Sequence, residues 1–330
     1  MEKTIQPVKR ILITGASGYI GKALAGRLSG QHEVMGLYHR NPPADLGSII
    51  WEKADLSNAD TIERLMRQFS PDVVIHSAAI AHQSLQPINR KTYFEVNSTA
   101  TEKIARAACL ANPDVRFIFM SSISVYGENR LVIPVAETHP CRPSGDYAMS
   151  KLDAENRLLE LCHKGQLRFL TIFRLAPVYD KTWSHNLDRR VWGPLKLFYL
   201  KFGSGHQRMS ALARANLSDL IEYWIADEKW KTESPMILNV CDEKPYSFHE
   251  MIRIFRKSGI RPSVPVISCP LFFIYGATRI TGLFFPGKKE WIHACYEKLA
   301  FSLVFDNKKM LETGFTPAHD LAGVFGVTGR

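Results

Sequence analysis

Short apolar runs at residues 11–14, 34–38, 73–76, 117–120 and 169–173 punctuate the first half of this chain. Each is too short for a helix and almost wholly apolar, the pattern of a strand buried on both faces. Between them lie longer stretches at 22–28, 59–69, 93–110 and 147–163, where apolar residues return at helical spacing. Strand and helix in alternation predict an α/β fold, a Rossmann-like doubly wound parallel sheet with helices on both faces. Beyond about Ala176 the alternation turns irregular and richer in aromatics and prolines. The expected organisation is a dinucleotide-binding domain over 1–175 and a smaller α/β substrate lobe over 176–330, with some segments returning to the first domain.

Ligands of such sheets bind beyond the carboxyl ends of the strands, so chemistry is sought there. The first strand runs into Thr14-Gly15-Ala16-Ser17-Gly18-Tyr19-Ile20-Gly21, and a helix follows. A glycine turn opening a helix presents unpaired backbone N–H groups and the positive end of the helix dipole to a pyrophosphate. In that role Gly15 permits the tight turn, Gly18 a close backbone approach to the phosphates and Gly21 close helix–strand packing. The spacing is Gly-x-x-Gly-x-x-Gly, and three glycines alone are a weak signal. The strand before and the helix after make the dinucleotide reading.

Tyr147 and Lys151 stand one helical turn apart on one face, and they are the only Tyr-x-x-x-Lys pair in the chain. Ser121 and Ser122 end the strand before them. An ammonium beside the phenol, with the positive charge of a nicotinamide, is expected to bring a pKa near 10 toward neutrality. The phenol then exchanges a proton with a hydroxyl while hydride leaves the same carbon, and Ser122 hydrogen-bonds the same oxygen. Lys151 also suits the nicotinamide ribose hydroxyls. The catalytic candidates are Ser122, Tyr147 and Lys151.

With these parts in order, the chain resembles the extended short-chain dehydrogenase/reductases, the NAD-dependent epimerase/dehydratase family. The likeness runs through the glycine turn, Ala54-Asp55-Leu56, His76-Ser77-Ala78-Ala79, Val96-Asn97, Ser121 to Gly127, the Tyr147/Lys151 helix, Arg174 to Tyr179, and a closing segment with Asp306, Lys309, Gly314 and Phe315. The resemblance implies a cofactor site made of Gly15, Ser17, Gly18, Tyr19, Ile20 and Gly21, with Asp55 and Leu56 flanking the adenine. Ala78 and Ala79 line the path to the nicotinamide, Asn97 lies on the helix behind it, and Tyr147 and Lys151 complete the set. It also implies that Asn186 and Arg208, with Ser122, touch a sugar-nucleotide substrate.

Within the family, Ile123 and Ser124 follow Ser122 where dehydratases carry an acid/base pair, so dehydration is not expected. Epimerisation or keto reduction at carbon 4 of a UDP-linked sugar is the expected reaction. The second strand ends Tyr38-His39-Arg40 without a carboxylate, which tilts His39 and Arg40 toward NADP rather than NAD. Two departures bear on the substrate: Asp180-Lys181-Thr182 stands where relatives carry Gly-Pro-Gly, and Met209 replaces an arginine beside Arg208. A reductase of a non-sugar carbonyl compound and a non-catalytic dinucleotide-sensing protein therefore stay open.

The net charge of +10 over 330 residues asks for an anionic partner. Lysines and arginines are scattered, with no basic run longer than two, so no nucleic acid is expected. The six cysteines form no Cys-x-x-Cys pair, which indicates neither zinc nor a disulfide framework and fits a reducing, cytoplasmic setting. Residues 1–10 are polar, without a signal core. The apolar stretch 264–287, interrupted by Pro265, Pro270, Arg279 and Pro286, is too broken for a spanning helix. It is expected as a core helix of the second lobe, with peripheral membrane contact as the alternative. A homodimer is an expectation from the resemblance alone.

Overall fold

The computed structural model describes residues 7–41, 47–81, 88–127, 131, 133–227, 233–285, 287 and 289–327. Pro286 and the first six residues of the polar N-terminal stretch lie outside them. In chain order come β1 (Arg10–Thr14), α1 (Tyr19–Leu28), β2 (Glu33–Tyr38), β3 (Ile50–Lys53), α2 (Ala59–Phe69), β4 (Val73–His76), α3 (Arg90–Phe94), a π-helical turn (Glu95–Thr99), α4 (Ala100–Ala111), β5 (Arg116–Ser122), α5 (Asp146–His163) and β6 (Phe169–Leu175). There follow β7 (Val178–Tyr179), α6 (His185–Val191), β8 (Tyr199–Phe202), β9 (Arg208–Met209), β10 (Leu212–Ala213), α7 (Arg214–Ala226), β11 (Met236–Val240), β12 (Tyr246–Ser247), α8 (Phe248–Lys257), β13 (Val266–Cys269), α9 (Leu271–Phe284), α10 (Lys289–Ala300), α11 (Lys308–Glu312) and α12 (Leu321–Val324). The chain divides into two compact units, one of Met1–Val125, Cys141–Arg174 and Ser218–Leu238, the other of Tyr126–Pro140, Leu175–Leu217 and Asn239–Arg330.

A seven-stranded sheet ordered β11-β6-β5-β4-β1-β2-β3 organises the first unit. β3, β2, β1, β4 and β5 are successive parallel neighbours. β1 lies inside the sheet, with Ile11 opposite Val34 on one side and Val73 on the other. The chain builds outward to β3 and then returns to β4, so the strand order reverses at the carboxyl ends of β1 and β4. That reversal opens the crevice where doubly wound sheets take ligands.

Local chemistry explains the helices that cover it. Asn58 caps α2 by accepting from the Thr61 amide at 3.0 Å, and Asp60 sits in the first turn and Arg67 in the last, both favourable to the helix dipole. Ile62, Leu65, Met66 and Phe69 form its buried stripe at helical spacing. They pack with Leu12, Leu37, Val74, Phe117 and Phe119 from the strands and Ile104, Leu158 and Leu161 from α4 and α5 in one core. The second unit has its own core, in which Tyr179, Leu187, Met209, Tyr246, Met251, Phe255, Leu321 and Phe325 meet.

Three features depart from the pattern reading. The helix expected over 93–110 is broken by the π-helical turn at Glu95–Thr99. β3 and β11 escape the apolar-run criterion. Glu52 and Lys53 make β3 a half-exposed edge, and β11 carries a fully buried Asn239 that accepts from the Tyr126 hydroxyl at 2.7 Å. The stretch 264–287 is not core. Its helix α9 buries only Gly282, while Phe272, Phe273, Tyr275, Ile280, Leu283 and Phe284 are exposed. Apolar composition favours burial but does not say against what. Among the described residues no helix is long and apolar enough to cross a membrane.

Candidate active site

β1, buried from Ile11 to Thr14, delivers the chain to Gly15 at φ +66°. A side chain there would be strained by that backbone, and its Cβ would lie 2.7 Å from the Ala78 Cα. The Gly18 amide donates to the Gly15 carbonyl at 2.9 Å and closes the turn. Gly21 packs so tightly that a Cβ would overlap the Gly15 carbonyl oxygen and stand 2.8 Å from the Ala16 Cα. Gly18 is the N-cap of α1, supplies no side-chain cap, and no acidic residue occupies the first turn. An anion meeting this helix end finds backbone donors and a positive dipole rather than a carboxylate. The turn is thus a cradle that side chains would fill, and it fits a dinucleotide pyrophosphate. The ends of β1 and β4 are tied beside it: the Ser77 hydroxyl donates to the Thr14 carbonyl at 2.7 Å and the Ala78 amide to Thr14 Oγ1 at 3.2 Å.

On the next strands the chemistry changes from backbone to side chain. Ser122 ends β5 and Tyr147 is the second residue of α5, and a hydrogen bond joins Ser122 to the Tyr147 phenol. Burial raises the phenol above its ordinary pKa, and the Ser122 bond pulls the other way. The expected drop toward neutrality is therefore absent from the protein's own groups. Lys151 is nearly fully buried, but its Nζ donates to the Met120 carbonyl at 2.6 Å and lies 4.5 Å from the Phe119 ring centroid. Desolvation lowers this amine to about 7, with Glu155 opposing. Ser124 reaches Ser122 Oγ through both its amide at 3.2 Å and its hydroxyl at 2.9 Å, orienting the serine.

One turn further along α5 comes Glu155, which the sequence reading overlooked. Its buried carboxylate accepts from Arg174 Nη2 at 2.7 Å and from the Ser121 hydroxyl. The signal was present as Tyr147, Lys151 and Glu155 at successive i+4 positions. The long-range partner on β6 was not, because only tertiary structure brings it there. His76, at the end of β4, is fully buried between Thr14 Oγ1 (2.7 Å) and Thr101 Oγ1 (2.8 Å), and burial with nearby Lys151 lowers it to about 3. It is a neutral spacer that stacks on the Phe119 ring.

Asn97 sits in the π-helical turn, where such insertions re-aim a side chain. Its amide accepts from the Ile80 N–H at 2.7 Å and donates to the Ile80 carbonyl and Ser150 Oγ, both at 3.0 Å. It thus clamps the loop after Ala78 and Ala79 to the residue preceding Lys151. Ala79 is exposed and Ala78 lies against Gly15. Asp55 follows β3 and accepts from the amide and hydroxyl of Ser57 at 2.9 and 2.7 Å, while Leu56 packs on the first core. His39 and Arg40 are exposed beyond β2, and His39 lies near enough to Asp55 to help hold its carboxyl below the usual range. Ser17, Tyr19 and Ile20 complete the turn at the start of α1.

The second unit carries the two substrate candidates. Asn186 is exposed in the first turn of α6. Arg208 is exposed on β9, its amide donating to Ser302 Oγ at 3.0 Å. Asp180, in place of the family's glycine, builds the following loop. It accepts from the Thr182 amide and hydroxyl and the Trp183 amide, each at 2.7 Å, and pairs with Arg214 at 2.5 Å. Among the described residues no cluster of three His, Cys, Asp or Glu side chains is arranged to hold a metal.

The model of the NAD dependent epimerase/dehydratase family matches residues 11–196. The UDP-glucose 4-epimerase of Vibrio cholerae is 30% identical over 253 residues, 74% of each chain. The N-acetyl-alpha-D-glucosaminyl-diphospho-ditrans,octacis-undecaprenol 4-epimerase of Escherichia coli O157:H7 is 24% identical over 323 residues, 94% of this chain and 92% of the relative. The crystal structure of UDP-glucuronic acid 4-epimerase from Bacillus cereus in complex with NAD shares the fold, with a TM-score of 0.70 over 96% of both chains at 19% identity.

Proposed function

Because the chain belongs to the NAD-dependent epimerase/dehydratase family, and so to the extended short-chain dehydrogenase/reductases, we propose that it acts at carbon 4 of a UDP-linked sugar, by epimerisation or by reduction of a 4-keto group. The observation that carries this reading is the Ser122–Tyr147 hydrogen bond, with Lys151 buried one turn behind it. When bound, the nicotinamide supplies hydride exchange and, oxidised, a positive charge. Ser122, oriented by Ser124, holds the carbon-4 oxygen. Tyr147 takes or returns that oxygen's proton at its phenolic oxygen. With its pKa raised by burial, the phenol is protonated at neutral pH, the form that can donate to a carbon-4 oxygen. The residues at the end of β2 support NADP: His39 and Arg40 offer cationic or donor groups to a 2′-phosphate, and the strand itself ends without a carboxylate. Asn186 and Arg208 are proposed to meet the sugar diphosphate, in the lobe that begins near residue 176.

A second reading keeps the chemistry and replaces the nucleotide by a polyprenyl carrier. It is supported by likeness to the Escherichia coli enzyme along almost the whole chain and by the exposed apolar helix α9. Turnover of UDP-hexoses and UDP-hexosamines against polyprenyl-diphosphate sugars separates the two. Absorbance of reduced nicotinamide then separates reduction, which consumes one equivalent per turnover, from epimerisation, which consumes none. Tyr147→Phe is expected to lower kcat by roughly 10²–10⁴-fold, the usual range for losing a general acid–base. Dinucleotide affinity should change little. Turnover unaltered by the substitution would end this assignment.

A further inference from the structure

From the exposed face of α9 we infer that this protein docks onto an anionic membrane surface. Phe272, Phe273, Tyr275, Ile280, Leu283 and Phe284 cover about half the circumference of the helix, and Leu283 is 81% exposed, Phe284 76% and Phe272 67%. Soluble surfaces scatter single apolar residues; a contiguous array of this kind marks a contact. Val266 and Ile267, on β13 just before the helix, are exposed as well. The helix is anchored to its own unit, α10 packing against it with the rings of Tyr275 and Tyr296 5.5 Å apart. Its 14 residues span about 21 Å, against a hydrocarbon core of about 30 Å, so it lies in an interface rather than crossing it.

Charge selects the occupant. Positions 251 to 289 hold seven arginines and lysines and no aspartate or glutamate, and Arg279 among them stands on α9 itself. Arg279 is exposed within the apolar arc, one turn from both Tyr275 and Leu283. A long side chain there lays its methylenes on acyl chains and carries its guanidinium to phosphate level. A second copy of this chain would face the same patch in a two-fold contact and bring these like charges together unneutralised. A bilayer with anionic headgroups satisfies both the apolar arc and the basic excess. The inference rests on this surface and holds whichever sugar carrier the site takes.

Sedimentation of the full-length protein with vesicles of phosphatidylglycerol and phosphatidylcholine tests it. The protein should pellet with these vesicles and lose about tenfold in partitioning on pure phosphatidylcholine or at high salt. Leu283→Ser/Phe284→Ser and, separately, Phe272→Ser/Phe273→Ser should each weaken partitioning about tenfold or more. Because these side chains are exposed, the melting temperature of both variants should match the parent. Failure to pellet on anionic vesicles at low salt overturns the inference, as does pelleting that neither double variant weakens. A dimer seen by light scattering, dissociated by both variants in a protein that ignores vesicles, overturns it in favour of self-association.

Discussion

Lys151 carries a cost that pH reveals. Burial lowers its amine from 10.5 to about 7, so a charged lysine is disfavoured in the folded protein. Below pH 7 both folded and unfolded chains hold the proton, and the burial penalty is fully present. Between about 7 and 10.5 only the unfolded chain holds it, so this residue makes stability rise with pH. At about 1.4 kcal/mol per unit the ceiling is roughly 5 kcal/mol. Lys151→Met keeps length and removes charge. It should melt higher than the parent at pH 6, with the gap closing toward pH 10. Parallel melting curves across that range would exclude the shift. The i+4 spacing of Tyr147 and Lys151 was legible in the chain, and so was Ser122 at a strand end. The direction of the Tyr147 shift was not, because it depends on how much protein surrounds the ring and on an amine that turns to Met120 instead.

At the scale of the element, the glycine turn is where local sequence and packing agree. Gly15→Ala forces a Cβ into the Ala78 backbone at a positive φ, and should cost about 1–3 kcal/mol and most of the dinucleotide affinity. Gly26, inside α1 with open space around it, is the control. Gly26→Ala should stabilise the protein by about 0.5–1 kcal/mol through helix propensity and leave binding unchanged. Urea melts with dinucleotide titrations of both variants check the pair, and equal effects would deny the turn its special role. Ala59–Phe69 was readable to the residue because cap, stripe and dipole charges all lie within one segment. The π-helical turn at Asn97 was not. The partners of that amide, Ile80 and Ser150, lie far along the chain and are met only in the folded protein.

For the molecule as a whole, cofactor binding is a stability term. A dinucleotide at one hundred times its Kd adds about 2.7 kcal/mol, and a chain of this size should melt several degrees higher. NADP should shift the melting temperature more than NAD, and Arg40→Asp should reverse the order by removing the cation and adding a carboxylate. Equal shifts in the parent would remove the argument for NADP. By itself the sequence determined what neighbours along the chain dictate: the strand–helix alternation, the glycine turn and the turn-spaced Tyr147, Lys151 and Glu155. Backbone sterics and helical periodicity act over a few residues, so such features are written locally. Tertiary structure alone decided which groups face one another and which face water. It set Arg174 and Ser121 against Glu155, made Asn97 a clamp, and left the apolar face of α9 open. Hydropathy scores a side chain without its surroundings, and burial is a property of the surroundings.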